Sequence, residues 1–472
     1  MKGSNLIFPM NRPQYVSVSE GFISALVWNL HEPPQKQDGK KIALRYSFEI
    51  ANQSGGLLYR RTEPVGKDKL GNLARSLDDL GLHADDQGLS LAVAATKSVM
   101  GVRSEKGKFQ PASPMSPSLA LMQNIEGIQG SANPPALADI IETIYSLGLI
   151  QDESEIASTV WLKAANHRLG VDPLLSMIDS AMAQTALGGL PALKTQIPSY
   201  GGNEVSAWRP YLRGTPFEWF ADTWKKINSV EWVEALPARV WSDWATTILR
   251  TSYGLAILWE CAWYESLARC VIGSEPFTFD DVLESMDPPL PWRNSSETAE
   301  IRDLASKIKV RCQRAFEIRK TLEVFLAEGS NKDADLSLLF YKMQENEWLV
   351  AELKNNLLPK DDPNIGKALR EAVRYALQIR EEHGLNSDYY GLLRKSGTRY
   401  LFPEPAMEWI SVMASMSCKT PGGKCSLGNV KDFLRLAGLE PNTRDLISLL
   451  ERSGLARGSA DADEGVKVEA AY

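Results

Sequence analysis

Apolar side chains recur every three or four positions along most of this chain, and every second position in one stretch only. That stretch is Ile42, Leu44, Tyr46, Phe48 and Ile50, alternating with Ala43, Arg45, Ser47 and Glu49. Successive side chains of a strand point to opposite faces, so this alternation predicts a half-buried strand. Asn52-Gln53-Ser54-Gly55-Gly56 supplies a turn, and Leu57 to Thr62 predicts the returning strand of a hairpin. Around it, Glu20 to Leu30 predicts a short helix stopped by Pro33 and Pro34. Leu70, Leu73, Leu77 and Leu80 predict an amphipathic helix ended by Gly81. Residues 1–100 therefore read as a mixed α/β N-terminal region. Residues 101–118 hold three prolines, four serines and three basic residues with few apolar ones, which predicts a linker or long loop.

From Leu119 the helical period takes over, and 119–398 read as one helical body without a repeat of fixed length. Leu137, Ile140, Ile141, Ile144 and Leu147 make an apolar face closed by Gly148, and Pro173 stands where a helix begins. Residues 205–292 hold nine of the thirteen tryptophans. Trp241 and Trp244, and Trp259 and Trp263, lie three and four apart, which puts each pair on one helical face. Such a block serves either as a core or as an exposed surface for stacking bases or seating a partner. After the Pro288-Pro289-Leu290-Pro291 break, residues 297–383 read as a bundle. Its stripe is Ile301, Leu304, Ile308, Cys312, Ala315, Leu322 and Phe325, followed by a return through Leu336, Leu339, Phe340, Met343 and Leu349. The fold class is mostly α (α+β), with β structure expected near 42–62 and 455–470.

Residues 399–472 differ. Glu408 to Met416 predicts a helix, Lys419 to Lys424 a turn, and Ser426 the cap of a helix from Leu427 to Ala437 stopped by Gly438. Pro441-Asn442-Thr443 opens a third helix that ends before Gly454. Leu455-Ala456-Arg457 and Val466-Lys467-Val468-Glu469 then read as two short strands. Three helices followed by a two-stranded ribbon resemble a winged helix-turn-helix domain. Its Leu439 to Glu451 segment offers only Arg444 against Glu440, Asp445 and Glu451, which suits a protein partner better than a DNA groove.

The net charge of −7 excludes wholesale coating of nucleic acid, so any such contact needs a local basic patch. One exists: Arg302, Lys307, Lys309, Arg311, Arg314, Arg319 and Lys320 stand against only Asp303 and Glu317. Lys307, Arg311 and Arg314 share one helical face, and as exposed charges they are expected to be removable without harm to the fold. The amino terminus has no apolar run of a signal peptide, and no stretch of about 18 apolar residues predicts a membrane span. Five scattered cysteines suit a reducing compartment, so the chain is read as cytoplasmic.

The constellations that chemistry requires are missing from the sequence. There is no phosphate loop, since Gly422-Gly423-Lys424-Cys425 lacks the first glycine and the hydroxyl. His31, His83, His167 and His383 lie far apart, and Cys418 and Cys425 do not have zinc-finger spacing. Asp335, Glu352 and Lys354 loosely resemble the metal-binding set of restriction-type nucleases, but in a stretch of helical period. No catalytic, metal-binding or cofactor-binding residue is expected, and no cofactor. The expected function is a non-enzymatic adaptor or assembly subunit of a larger complex that binds other protein subunits. In make-up the chain is similar to accessory subunits of bacterial multigene systems such as anti-phage islands. The alternative is a nucleic-acid binder acting through the basic helix 302–320, and a more remote one is a restriction-type nuclease.

Overall fold

The computed structural model of the protein describes residues 2–13, 16, 19–32, 36–37, 40–41, 45–46, 74, 78, 81, 85–90, 113–121, 137–151, 155–187, 190–273, 275–290, 292, 304–329, 331–379, 388–396, 400–457 and 466–472. Helices dominate. The first part supplies α1 (Gly21–Asn29), α2 (Pro117–Leu121), α3 (Leu137–Gly148), α4 (Ala157–Val171) and α5 (Pro173–Thr185). The tryptophan block supplies α6 (Asn203–Trp208), α7 (Pro216–Ile227), α8 (Val230–Ala235), α9 (Ala238–Ile272) and α10 (Phe279–Glu284). Beyond it come α11 (Leu304–Ala327), α12 (Leu336–Glu345), α13 (Glu347–Asn356) and α14 (Lys367–Leu377). The last part contains α15 (Met407–Ser417), α16 (Leu427–Leu436) and α17 (Thr443–Arg452).

Strands are short and antiparallel. β1 (Lys36–Gln37) pairs with β2 (Lys40–Lys41), and β3 (Arg45–Tyr46) pairs with β4 (Ala186–Leu187). Arg45 and Tyr46 of the alternating segment are thus tied to the residues that directly follow α5. Its expected partner, 57–62, lies outside the described residues. β5 (Leu393–Ser396) and β6 (Tyr400–Pro403) form a hairpin that the sequence pattern did not reveal. The assignment of β structure to the neighbourhoods of 42–62 and 455–470 alone is corrected by it.

The organising element is α9. It has 35 residues, a length of about 52 Å at 1.5 Å per residue. Every residue from Trp244 to Ala268 is buried, so the helix has no solvent face over that span and is the axis of the core. α11, α7, α14, α10 and α1 pack around it. The nine tryptophans of the block are all buried, none more than 5% exposed. The block is core, and the exposed stacking surface considered for it does not form. Trp208 meets Trp263 edge-on at 4.9 Å, and Trp161 stacks on Trp241 at 5.7 Å. Indole N–H groups of Trp224 and Trp241 donate to the carbonyls of Ala157 and Ile227, whereas those of Trp208 and Trp219 have no acceptor among the described residues.

Four tryptophans of the block hold the C-terminal segment. Trp219 packs edge-on against Phe433, Trp244 against Tyr472, and Trp292 against Trp409. Trp232 donates its N–H to the Lys419 carbonyl. In that segment the order is α15, β7 (Lys424–Ser426), α16, α17, β8 (Ala456–Arg457) and β9 (Lys467–Glu469). β9 lies between β7 and β8 in a three-stranded antiparallel sheet. Ser426 caps α16 by accepting from the Asn429 N–H, and Asn442 caps α17. Gly438 and Gly454 follow these helices at φ +83° and +73°, the left-handed stop that glycine adopts at least cost. Among the described residues no helix is long and apolar enough to cross a membrane.

A buried carboxylate fixes one more joint. Glu142 of α3 accepts from the backbone N–H groups of Ala157 (2.6 Å) and Ser158 (2.9 Å) and from the Ser158 hydroxyl, closing the N-terminus of α4. Burial pushes its carboxyl up to about 7, against the pull of those donors.

Two outcomes follow from this packing. Alanine normally favours a helix interior over glycine, by about 1 kcal/mol. At Gly254 of α9, however, a Cβ would lie 2.5 Å from Leu377 Cγ of α14. Gly254→Ala is expected to lower the unfolding free energy by about 1–3 kcal/mol, with Leu377→Ala in the same chain recovering part of it. A denaturant titration showing that Gly254→Ala stabilises would contradict this close approach. For Glu142, a folded-state value above the ordinary 4.5 means that the folded chain binds the extra proton. Its contribution to stability is therefore full below 4.5 and is lost as pH rises through about 7. The stability of wild type relative to Glu142→Gln should fall across that window in urea titrations; a pH-independent difference would refute the assignment.

Candidate functional site

Helix α11 carries the cation cluster, and the structure divides it in two. Arg302 lies outside the described residues. Lys307 and Lys320 are exposed and Lys309 half-buried, without an ion-pair partner among the described residues. The three arginines turn inward instead. Arg311 sets its Nε 3.2 Å from Glu265 Oε2 and donates through Nη1 to the carbonyls of Pro288 and Pro289. Arg314 reaches the other oxygen of Glu265 at 3.2 Å. Arg319 donates to Glu260 Oε1 at 2.9 Å, to the Met10 carbonyl at 3.0 Å and to Glu323 at 3.0 Å.

Both glutamates belong to the buried span of α9, where an unpaired carboxylate would be costly. The arginines supply the counter-charges at positions flanking the buried stripe Ile308, Cys312 and Ala315. Burial pushes the Glu260 carboxyl up to about 7, and the Arg319 guanidinium draws it back down. Arg250, also on α9, makes a third buried pair with Asp388 at 2.9 Å and donates to the carbonyls of Ala376 and Gln378 at the end of α14. The expectation that Lys307, Arg311 and Arg314 stand together on an exposed face is corrected: Lys307 does, and the two arginines are structural.

Beside these pairs a cleft of about 360 Å³ opens between α9 and α11. Glu265, Arg269, Asp287, Lys307, Arg311 and Arg314 line it over apolar walls from Leu258, Leu304 and Ile308. Arg269 donates to Asp287 at 2.8 Å, and Arg311 lies 3.9 Å from the same oxygen. Four cations thus face two carboxylates, an arrangement that favours an anion. Asp287, Arg269 and Glu265 were not singled out in the sequence, although the spacing of four between Glu265 and Arg269 is the signal of a helical ion pair.

A smaller cavity of about 140 Å³ adjoins the Glu260–Arg319 pair, with Arg12 lying over the Phe316 ring at 5.1 Å. Cys261 at its edge is hydrogen-bonded to Cys312 and buried, which pushes its thiol up and leaves it a poor nucleophile. Among the described residues neither cavity is lined by a histidine. Asp335 caps α12 by accepting from the Ser337 N–H, and Glu352 and Lys354 stand on α13, a helical setting unlike the strands on which nucleases of the restriction type place their metal ligands. Among the described residues no group of three or more His, Cys, Asp or Glu side chains is placed to hold a metal ion.

In comparisons with known proteins, no family model and no curated protein matches this chain.

The two kinds of cation are separable by experiment. Arg311→Gln leaves Glu265, 3% exposed, with one fewer charged donor and frees two proline carbonyls. It should lower stability by about 2 kcal/mol or more, whereas Lys307→Gln should change it by less than about 0.5 kcal/mol. Chemical denaturation of both variants checks this, and equal small effects would mean that the inward arginines are dispensable.

Proposed function

We propose that the protein is a non-enzymatic adaptor or assembly subunit of a larger complex, with its C-terminal segment acting as a winged-helix-like unit that contacts protein. The observation that carries this proposal is the commitment of Arg311, Arg314 and Arg319 to Glu265 and Glu260, which withdraws the densest cation cluster from the surface. The order α15, β7, α16, α17, β8, β9, with β9 central in the sheet, supports the winged-helix assignment. α17, in the position such domains use for recognition, exposes Thr443, Arg444, Ser448, Glu451 and Arg452, a mixed set with little attraction for phosphate. Aromatic side chains left outside also favour a protein partner: Tyr341 on α12 is 58% exposed and Trp348 on α13 is 44% exposed. A bacterial multigene setting of the anti-phage kind suits a subunit of this make-up.

A second proposal, contact with a nucleic-acid backbone, has one observation in its favour, the exposed Lys307 and Lys320 and the half-buried Lys309 on α11, of which Lys307 lines the cationic cleft. Three phosphate contacts would give a salt slope of roughly −2 to −3 on duplex DNA. The two are separated by gel-shift titration at two salt concentrations with wild type and the Lys307→Gln/Lys309→Gln/Lys320→Gln variant, alongside isolation of the native complex. An adaptor co-purifies with defined subunits at salt that abolishes DNA binding, and Arg444→Glu/Glu451→Arg on α17 or Trp348→Glu releases one of them. A monomer at every salt concentration, with DNA binding that the lysine variant weakens, would overturn the adaptor.

A further inference from the structure

Cys418 and Cys425 are joined by a tight turn and meet at its base. Cys418 ends α15, the turn 419–423 follows with Lys419 at φ +71° and Gly422 at φ +66°, and Cys425 lies in β7. Their sulfur atoms are 3.0 Å apart. A disulfide measures about 2.05 Å, so bonding requires a further approach of about 1 Å. The backbone of both partners is fixed: β7 is paired to β9, with Cys425 opposite Val468, and Cys418 Sγ lies 3.6 Å from the Val468 carbonyl. Cys418 is buried, and Cys425 is partly open to solvent, with the Ser417 hydroxyl 3.3 Å from its sulfur.

We infer that Cys418 and Cys425 are a reversible dithiol–disulfide pair, with Cys425 the sulfur that meets a hydroperoxide and Cys418 the sulfur that resolves it. The hydrogen bond from Cys418 lowers the Cys425 thiol to about 7, which makes thiolate available at neutral pH; the Cys418 thiol is raised. The Cys425 thiolate attacks the terminal peroxide oxygen, the O–O bond breaks, and the departing alkoxide or hydroxide takes a proton. Cys425 is then a sulfenic acid. Cys418 attacks that sulfur, the S–S bond forms, the S–O bond breaks, and hydroxide leaves with the Cys418 proton as water. Two thiols are oxidised and one peroxide is reduced; an external dithiol reverses the step by exchange. The bond would clamp the turn whose Lys419 carbonyl holds Trp232, the joint between the C-terminal segment and the body.

The test treats the full-length protein with hydrogen peroxide, alkylates the remaining thiols and maps peptides by mass spectrometry. The expected product is a peptide with Cys418 and Cys425 cross-linked, restored to two alkylated thiols by dithiothreitol. Cys418→Ser should instead trap Cys425 as a dimedone adduct, and Cys425→Ser should leave Cys418 alkylated. The inference is overturned if both thiols of the wild type are alkylated in full after peroxide, or if Cys270 or the Cys261–Cys312 pair is oxidised in their place. The wild-type map decides the matter even where a variant folds poorly.

Discussion

The structure depends on keeping α9 dry. Twenty-five consecutive residues without a solvent face, Trp244 to Ala268, bury a large apolar area, and the large rings of Trp259, Trp263, Tyr253 and Tyr264 dominate it. The same helix also carries Arg250, Glu260 and Glu265 into that interior. Such charges are tolerable only with partners at hydrogen-bonding distance, and the partners come from two places: Asp388 from beyond α14, and Arg319 with the Arg311–Arg314 couple from α11. Apolar burial brings the neighbouring helices to α9. The ion pairs fix their register along it, because a slide by one turn would leave a buried charge unmatched.

This arrangement explains how α11 can carry so many cations and offer so few of them outside. The arginines of α11 look, residue by residue, like a solvated face. Their long apolar stems lie beside the buried stripe of their own helix while the guanidinium groups reach α9. What remains outside is lysine. The tryptophan block is likewise turned inward, and four of its rings meet the C-terminal segment, so the groove for a partner is filled by the protein's own chain.

Much of the fold was legible because local rules governed it. Gly148, Gly438 and Gly454 end helices, Pro173 begins one, and Ser426 caps another, each where pattern and residue chemistry agree. The β5–β6 hairpin escaped notice because Leu393–Ser396 and Tyr400–Pro403 are four residues each, too short for alternation to register, and one ends in proline. The candidate site was legible only as a list of cations. Which of them point inward depends on Glu265 and Glu260, 46 and 59 residues away, and no local pattern carries that information. The meeting of Cys418 and Cys425 was hidden for a related reason: β7 is defined by its pairing with β9 rather than by its own three residues.

The central position of α9 has a consequence for biosynthesis. Its covering helices lie on both sides of it in sequence: α1, α3 and α7 are made before it, α11, α14 and α15 after it. A chain emerging from the ribosome therefore holds a long helix with one flank covered and the other bare, including two glutamates whose arginines have not yet been synthesised. Folding to completion must wait for distant sequence, since Arg311 and Arg319 follow Glu265 and Glu260 by 46 and 59 residues.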